Sequence, residues 1–163
     1  MGGWSFGGLL AVQVAELLKD KEVNLQGVIL FDTIHPAIFP SKAKENDSIE
    51  WKDKLVRYGN GHLDSQELIN KILSAGVIHE AMYPMAKKIM PSILIPTLLF
   101  SALKLDPEYE SYQTLLMTNE KVWRDFLPNI DVVFVNSSHE LLFLPENLLL
   151  LIENTNQFLE GTL

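Results

Sequence analysis

The chain has 163 residues, of which 47% are apolar, and a formal net charge of −8. This length and composition predict one globular domain over residues 1–163, and the negative charge argues against a nucleic-acid partner, because phosphates need clustered Lys and Arg. The absence of cysteine excludes disulfides, thiolate metal sites and a cysteine nucleophile. No signal peptide or membrane-spanning apolar run is recognisable, so we expect a soluble, cytoplasmic domain without a membrane partner.

The first motif in the chain is a G-x-S-x-G pattern, Gly3-Trp4-Ser5-Phe6-Gly7. This pattern is typical of a nucleophile elbow, the sharp strand-to-helix turn that presents a serine for acyl transfer in α/β-hydrolases. In such a turn the incoming strand passes close to the outgoing helix, so we expect side chains at Gly3 and Gly7 to collide with their surroundings. Residues 6 to about 19 read as a helix that is apolar over most of its circumference, which predicts burial on several sides.

Only four residues precede Ser5, whereas an elbow needs a strand running into it. We therefore expect the elbow strand and the N-terminal half of the fold to be absent, so that the chain is the C-terminal part of a hydrolase. A strand predicted at residues 25–31 would then lack a neighbour along one edge. We expect the chain alone to be marginally stable and to self-associate, with a poorly reactive Ser5.

Three short apolar stretches predict strands, at Leu25–Phe31, Ile95–Ala102 and Ile130–Asn136. Near-continuous apolar strands separated by helical patterns indicate a parallel sheet covered by helices on both faces, that is, an α/β fold. A long insertion, about residues 41–91, separates the first two strands and carries capping signals for two helices. Further helices are predicted over 107–116 and 119–126, and from Pro145 onwards.

A serine hydroxyl needs a base, and the base needs an acid that orients it. The expected chain order on this fold is serine, acid, histidine. His139 is the best candidate for the base, because it follows a strand directly and lies in a short polar turn. His35 lies next to a candidate acid, and His62 and His79 lie in the insertion, so all three are weaker candidates.

Two aspartates compete for the role of the acid. Asp32 and Asp106 each follow a predicted strand, and active-site groups of open α/β sheets collect at the carboxyl ends of strands. Capping of the helix that begins at Pro107 explains Asp106 equally well. Asp32 has apolar neighbours on both sides, and a carboxylate in such surroundings needs a specific partner, which favours Asp32.

Three segments together resemble the thioesterase domains that end polyketide synthases and non-ribosomal peptide synthetases. They are Gly-Gly-Trp-Ser-Phe-Gly-Gly at residues 2–8, Val-Ile-Leu-Phe-Asp-Thr at 28–33 and Ser-Ser-His-Glu-Leu-Leu-Phe at 137–143. The resemblance implies an α/β-hydrolase with a helical lid formed by the insertion. Carried over position by position, it implies Ser5 as nucleophile, Asp32 as acid and His139 as base, and it makes the amide of Phe6 one donor of the oxyanion hole.

The resemblance also implies a reaction and its partners. The substrate would be an acyl, polyketide or peptidyl chain held as a thioester on the phosphopantetheine arm of a carrier protein. Ser5 would take over the chain, which water or an internal nucleophile would then release as a free acid or a cyclised product. No metal or redox cofactor is implied. The expected partners are an acyl or peptidyl carrier protein and the upstream half of the domain or the synthase modules.

Two other interpretations stay open. An esterase, lipase-like hydrolase or acyltransferase of the same fold would use the same residues, and a catalytically weak or silent fragment would act as an interaction module. Within the insertion, Met and aromatic side chains are candidates to line an adaptable acyl chamber, since Met packs against varied shapes; they are Trp51, Met82, Tyr83 and Met85. Ordinary packing among the lid helices explains the same pattern.

Overall fold

A computed structural model describes residues 1–38, 91–104 and 113–161. All of them belong to one compact unit, Met1–Ile38 with Ile89–Leu163, whereas a second unit, Phe39–Lys88, lies outside the described residues. The predicted lid insertion, about residues 41–91, therefore lies outside them except for its last residue. No helix among the described residues has both the length and the apolarity needed to cross a membrane.

The described residues form four strands and three helices. In chain order these are β1 (Gly2–Trp4), α1 (Phe6–Leu18), β2 (Val28–Phe31), β3 (Thr97–Ala102), α2 (Gln113–Phe126), β4 (Ile130–Val135) and α3 (Pro145–Gly161). The strands form one sheet in the order β1-β2-β3-β4, and each neighbouring pair is parallel. The predicted α/β fold is confirmed, and each of the three predicted strands is present but shorter at one end.

The register of the sheet brings the carboxyl ends of its strands to one edge. Trp4 of β1 pairs with Phe31 of β2, and Phe31 pairs with Phe100 of β3. The residues that directly follow β1 and β2 therefore leave the sheet side by side. Behind this edge, apolar side chains of β3, β4, α3 and the turn before α3 form a buried core of Leu98, Phe100, Val135, Leu142, Leu151 and Phe158.

The expectation that no strand leads into the elbow is wrong. Three residues, Gly2–Trp4, form β1 and pair in parallel with β2. The pairing is close, because a Cβ placed on Gly2 would lie 2.8 Å from the carbonyl oxygen of Ile29. Strand β1 therefore occupies the side of β2 that was expected to have no neighbouring strand. The predicted self-association of the chain was based on that missing neighbour, which is present.

The prediction of two helices at 107–116 and 119–126 is also wrong, since α2 runs without a break from Gln113 to Phe126. Residues 107–112 lie outside the described residues. Asn is a frequent helix-capping residue, but Asn119 does not begin a helix here. Its side chain instead lies buried in the middle of α2 and bonds to the backbone of a distant loop.

Helix α1 is buried along one face rather than on several sides. Its buried residues are Gly8, Leu9, Ala11, Val12 and Ala15. Three other apolar side chains of the same helix, Leu10, Val14 and Leu17, are exposed by 42% to 71%. The prediction from apolar composition therefore overestimated how much of the surface of α1 is buried.

The glycines of the elbow have different roles from those expected. A Cβ on Gly3 would overlap the backbone of Gly7, as predicted, but a Cβ on Gly7 would meet no heavy atom within 4 Å among its described surroundings. The second close approach lies one residue further, where a Cβ on Gly8 would overlap the side chain of Thr33. Helix α1 thus packs through Gly8 against Thr33, the second residue after β2.

This difference predicts opposite effects for two neighbouring substitutions. Gly8→Ala should lower the free energy of unfolding by about 1–3 kcal/mol, because the added methyl group must displace buried Thr33. Gly7→Ala, the matched control, should leave stability unchanged or raise it by up to about 1 kcal/mol, because alanine favours the helix. Urea unfolding of both variants measures the difference, and equal stabilities would contradict the packing described.

Candidate active site

Ser5 lies at the sharp turn between β1 and α1. Its backbone has φ 53° and ψ −124°, a conformation that non-glycine residues rarely adopt. Two hydrogen bonds hold it, from the Ser5 amide to the carbonyl of Phe31 at 2.9 Å and from the Gly8 amide to the carbonyl of Ser5 at 3.0 Å. The hydroxyl does not cap α1. The predicted nucleophile therefore sits in the strained strand-to-helix turn that defines an elbow.

Asp32 follows β2 at the same edge of the sheet and is only 6% exposed. Both of its carboxylate oxygens have partners. Oδ1 accepts a hydrogen bond from the amide of Ala102 at 2.8 Å, and Oδ2 lies 2.7 Å from Nδ1 of His139. Buried carboxylates need such partners. The backbone of Asp32 also has a positive φ, 43°, and its amide donates to the carbonyl of Phe100 at 2.7 Å.

His139 follows β4 in the turn before α3, and its side chain is 31% exposed. Because a carboxylate only accepts hydrogen bonds, the contact with Asp32 places a proton on Nδ1 and leaves Nε2 as an acceptor in the neutral ring. The indole of Trp4 stacks on the imidazole with ring centroids 4.9 Å apart, and Phe143 lies edge-on against the same indole. The residue before Ser5 therefore contacts the ring of the predicted base.

The remaining predicted site residues are placed as follows. Phe6 is the first residue of α1, so its amide lies at the positive end of the helix dipole. The competing acid, Asp106, lies outside the described residues, as do His62, His79 and the candidates for the acyl chamber, namely Trp51, Met82, Tyr83 and Met85. Within residues 1–38, 91–104 and 113–161, no three His, Asp or Glu side chains form a group that could hold a metal ion.

Sequence reasoning missed two contributors to this site. The amide of Ala102 binds the carboxylate of Asp32, but a backbone donor leaves no trace in residue type. Trp4 lies next to Ser5 in the motif, yet its stacking on His139 depends on β1 and the turn after β4 coming together. The position of Trp4 directly before the serine was the one available signal.

His35 has a different environment from His139. It is 1% exposed, and its ring packs against Trp123 and Phe126 with centroids 4.7 and 4.4 Å away. The amide of Ala37 donates to its Nδ1 at 3.1 Å, so that Nε2 carries the proton, and Nε2 has no hydrogen-bond partner among the described residues. Burial lowers the pKa of His35 to about 4. It is therefore a neutral core residue at neutral pH.

A parallel sheet with a serine in a strained elbow, an aspartate after the next strand and a histidine bonded to it after the last strand defines the α/β-hydrolase class. A family model for the thioesterase domain matches residues 1–140. The chain belongs to this thioesterase-domain family, which confirms the resemblance found in the sequence.

Individual relatives agree with this assignment. The chain is 45% identical over 47 residues to thioesterase pynI of Aspergillus niger and 38% identical over 56 residues to the non-ribosomal peptide synthetase imqB of Aspergillus flavus. Each match covers 29% of this chain, but only 17% of pynI and 2% of imqB.

The fold is similar to the crystal structure of the NocB thioesterase domain in covalent complex with a fluorophosphonate nocardicin G analogue, with a TM-score of 0.69 and 21% identity. That similarity covers 97% of this chain and 64% of the NocB chain, so the chain spans less than two thirds of each of these proteins.

The environment of His35 predicts a pH dependence of stability. In the unfolded chain His35 binds a proton below its ordinary pKa of 6.5, whereas in the folded chain it does so only near pH 4. The contribution of neutral His35 to the free energy of unfolding is therefore fully present above pH 6.5. It is lost as the pH falls towards 4, by up to about 1.4 kcal/mol per pH unit. Urea unfolding at pH 7 and pH 5 measures this loss. His35→Gln does not titrate and should show a smaller pH dependence than the natural chain; an equal dependence would show that His35 is not its source.

Proposed function

We propose that this chain carries the nucleophile, acid and base of a thioesterase that releases an acyl, polyketide or peptidyl chain from a carrier protein. The observation that carries the proposal is the 2.7 Å contact between Asp32 and His139 beside the elbow of Ser5. A histidine whose Nδ1 is held by a buried carboxylate has the tautomer that a serine nucleophile requires. Membership of the thioesterase-domain family supports a thioester as the substrate.

The proposed reaction has two halves. Ser5 Oγ attacks the carbonyl carbon of the thioester while Nε2 of His139 takes the serine proton, and Asp32 stabilises the imidazolium. The C–S bond then breaks, and the departing thiolate takes the proton from His139, which leaves an acyl-serine ester. In the second half, water or a hydroxyl or amine of the chain itself attacks the ester and gives its proton to His139. The acyl–serine bond breaks, and the proton returns to Ser5.

The amide of Phe6 is proposed as one donor to the oxyanion that forms in both halves of the reaction. It belongs to the residue after the nucleophile and lies at the N-terminus of α1, where backbone amides and the helix dipole favour negative charge. Donors of this kind stabilise the transition state by roughly 3–4 kcal/mol in other hydrolases. The proposed reaction needs no metal or redox cofactor, because the serine, histidine and aspartate supply the nucleophile and the proton transfers.

The proposed substrate is a chain held on carrier phosphopantetheine, and the proposed partners are the carrier protein and synthase modules. The match to a non-ribosomal peptide synthetase supports this assignment. Apolar side chains near the imidazole also suit an acyl group: Trp4 and Phe143, which contact each other, are 45% and 44% exposed. Binding of the chain by the lid residues and a cytoplasmic location remain predictions from the sequence.

The interaction-module alternative has one observation in its favour. The side chains of Leu10, Val14 and Leu17 on α1 are largely exposed, and a contiguous apolar face often marks a contact with another protein. The two functions differ in the reactivity of Ser5. A fluorophosphonate probe, followed by mass spectrometry of the labelled peptide, should modify Ser5 if the site is catalytic, and absence of labelling would favour the interaction module.

We expect Ser5→Ala to abolish hydrolysis of an acyl-pantetheine thioester, because the nucleophile is removed. Asp32→Asn should lower kcat by about 10³–10⁴-fold, because the neutral amide no longer fixes the tautomer of His139. Steady-state kinetics with each variant measures both effects. Asp131→Asn removes an exposed carboxylate from β4 and is the matched control, for which kcat should change less than twofold. Equal rates for the natural chain and Ser5→Ala would refute the proposed nucleophile, and faster cleavage of aryl esters than of thioesters would indicate an esterase instead.

A further inference from the structure

The loop that follows the acid is deeply buried although it belongs to no strand. Thr33 is 0% exposed and His35 is 1% exposed. Buried backbone groups outside the sheet need hydrogen-bond partners from elsewhere. The side chains that supply them come from α2, a helix more than 80 residues further along the chain.

Two residues one turn apart on α2 bind this loop. The side-chain amide of Asn119 accepts a hydrogen bond from the amide of His35 at 2.8 Å and donates one to the carbonyl of Thr33 at 3.2 Å. The indole Nε1–H of Trp123 donates to the same carbonyl at 2.8 Å. Asn119 therefore bridges both sides of the loop, and the carbonyl of Thr33 accepts two hydrogen bonds.

These contacts act on the residue next to the acid. The carbonyl of Thr33 lies one residue beyond Asp32, whose positive φ of 43° is unfavourable for a residue with a side chain. In addition, the side chain of Thr33 packs against Gly8 of α1 so closely that no Cβ fits there. The loop is thus held between α1 and α2, and strained backbone persists only where its surroundings restrain it in this way.

The choice of residue at position 119 supports a specific role. Asparagine is a weaker helix former than alanine, and here it lies inside α2 rather than at its end. Its side chain is 2% exposed, and its amide oxygen and nitrogen each bind the loop after β2. Helix stability does not explain an asparagine at this position, whereas two bonds to the loop of the acid do.

We propose that Asn119 and Trp123 are positioning residues for Asp32. By fixing the peptide groups on both sides of Ile34, just beyond the acid, they keep Oδ2 of Asp32 within hydrogen-bond distance of Nδ1 of His139 and so orient the imidazole. The inference rests on the proposed role of the Asp32–His139 pair in thioester cleavage, but the geometry of that pair is measurable without substrate. The two proposals can therefore fail separately.

The test compares three variants of the full chain. Trp123→Phe removes the indole donor but keeps an aromatic ring beside His35, and Asn119→Leu removes both bonds to the loop. Asn129→Ala is the matched control, since its side chain also donates to a backbone carbonyl, that of Leu94 at 2.7 Å, at the opposite end of the sheet. For each variant, kcat and KM for an acyl-pantetheine thioester, the melting temperature and the ¹H NMR spectrum are measured.

We expect kcat to fall about tenfold in Trp123→Phe and about a hundredfold in Asn119→Leu, with KM within about twofold, because small displacements of a catalytic group are costly. The downfield ¹H resonance of the proton between Asp32 and His139, assigned by its loss in His139→Gln, should shift or broaden in both variants. In Asn129→Ala both kcat and this resonance should be unchanged. If Asn119→Leu does not fold, Trp123→Phe alone decides.

An unchanged resonance and unchanged kcat in folded Trp123→Phe would overturn the positioning role, even if the melting temperature fell. A fall in melting temperature alone, equal to that of Asn129→Ala, would show a merely structural bond. If no variant affected thioester cleavage, including Ser5→Ala, the proposed function would fail. A shifted resonance in Trp123→Phe would still support the positioning of Asp32 in that case.

Discussion

The hydrogen bond between Asp32 and His139 joins residues 107 positions apart in the chain, and the rest of the site depends on it. It forms because parallel strands place their carboxyl ends at one edge of the sheet, so that the residue after β2 and the turn after β4 meet across β3. The central strand contributes as well, since the amide of Ala102 binds the second oxygen of the same carboxylate. The acid is thus fixed by β3 and by the turn that follows β4.

Backbone strain is concentrated at this edge. Among the described residues, the non-glycine residues with positive φ are Ser5 and Asp32, the predicted nucleophile and the predicted acid. Each such residue costs about 1–3 kcal/mol, which the surrounding structure must offset. For Ser5 the restraint comes from the sheet, through the carbonyl of Phe31, and from the first turn of α1. For Asp32 it comes from β3 and from the loop that α2 holds.

Several buried polar groups at this edge are matched by partners from distant parts of the chain. The carbonyl of Thr33 and the amide of His35 bind side chains of α2, and the two oxygens of Asp32 bind β3 and His139. Burying such groups without partners would destabilise the fold. The geometry of the site and the position of α2 therefore depend on each other, because a change in either would leave polar atoms of the other without hydrogen-bond partners.

Local patterns in the sequence were sufficient to predict the elbow motif, the three main strands and the parallel α/β fold. They were also sufficient to select Ser5, Asp32 and His139 as candidates. Hydrophobic periodicity, turn residues and the spacing of small residues are all local properties of the chain. Local patterns did not predict the short strand Gly2–Trp4, because this strand is defined by its pairing with β2. They also did not predict that the helix continues through Asn119, whose side chain bonds to a loop far away in the sequence. Only the tertiary structure decided that Gly8 rather than Gly7 makes the close approach, that Trp4 stacks on His139, and that an amide of β3 binds Asp32. The reason is physical: these contacts join residues that are neighbours in space but not along the chain, and the contact of Ala102 is made by a backbone amide, which residue type does not reveal.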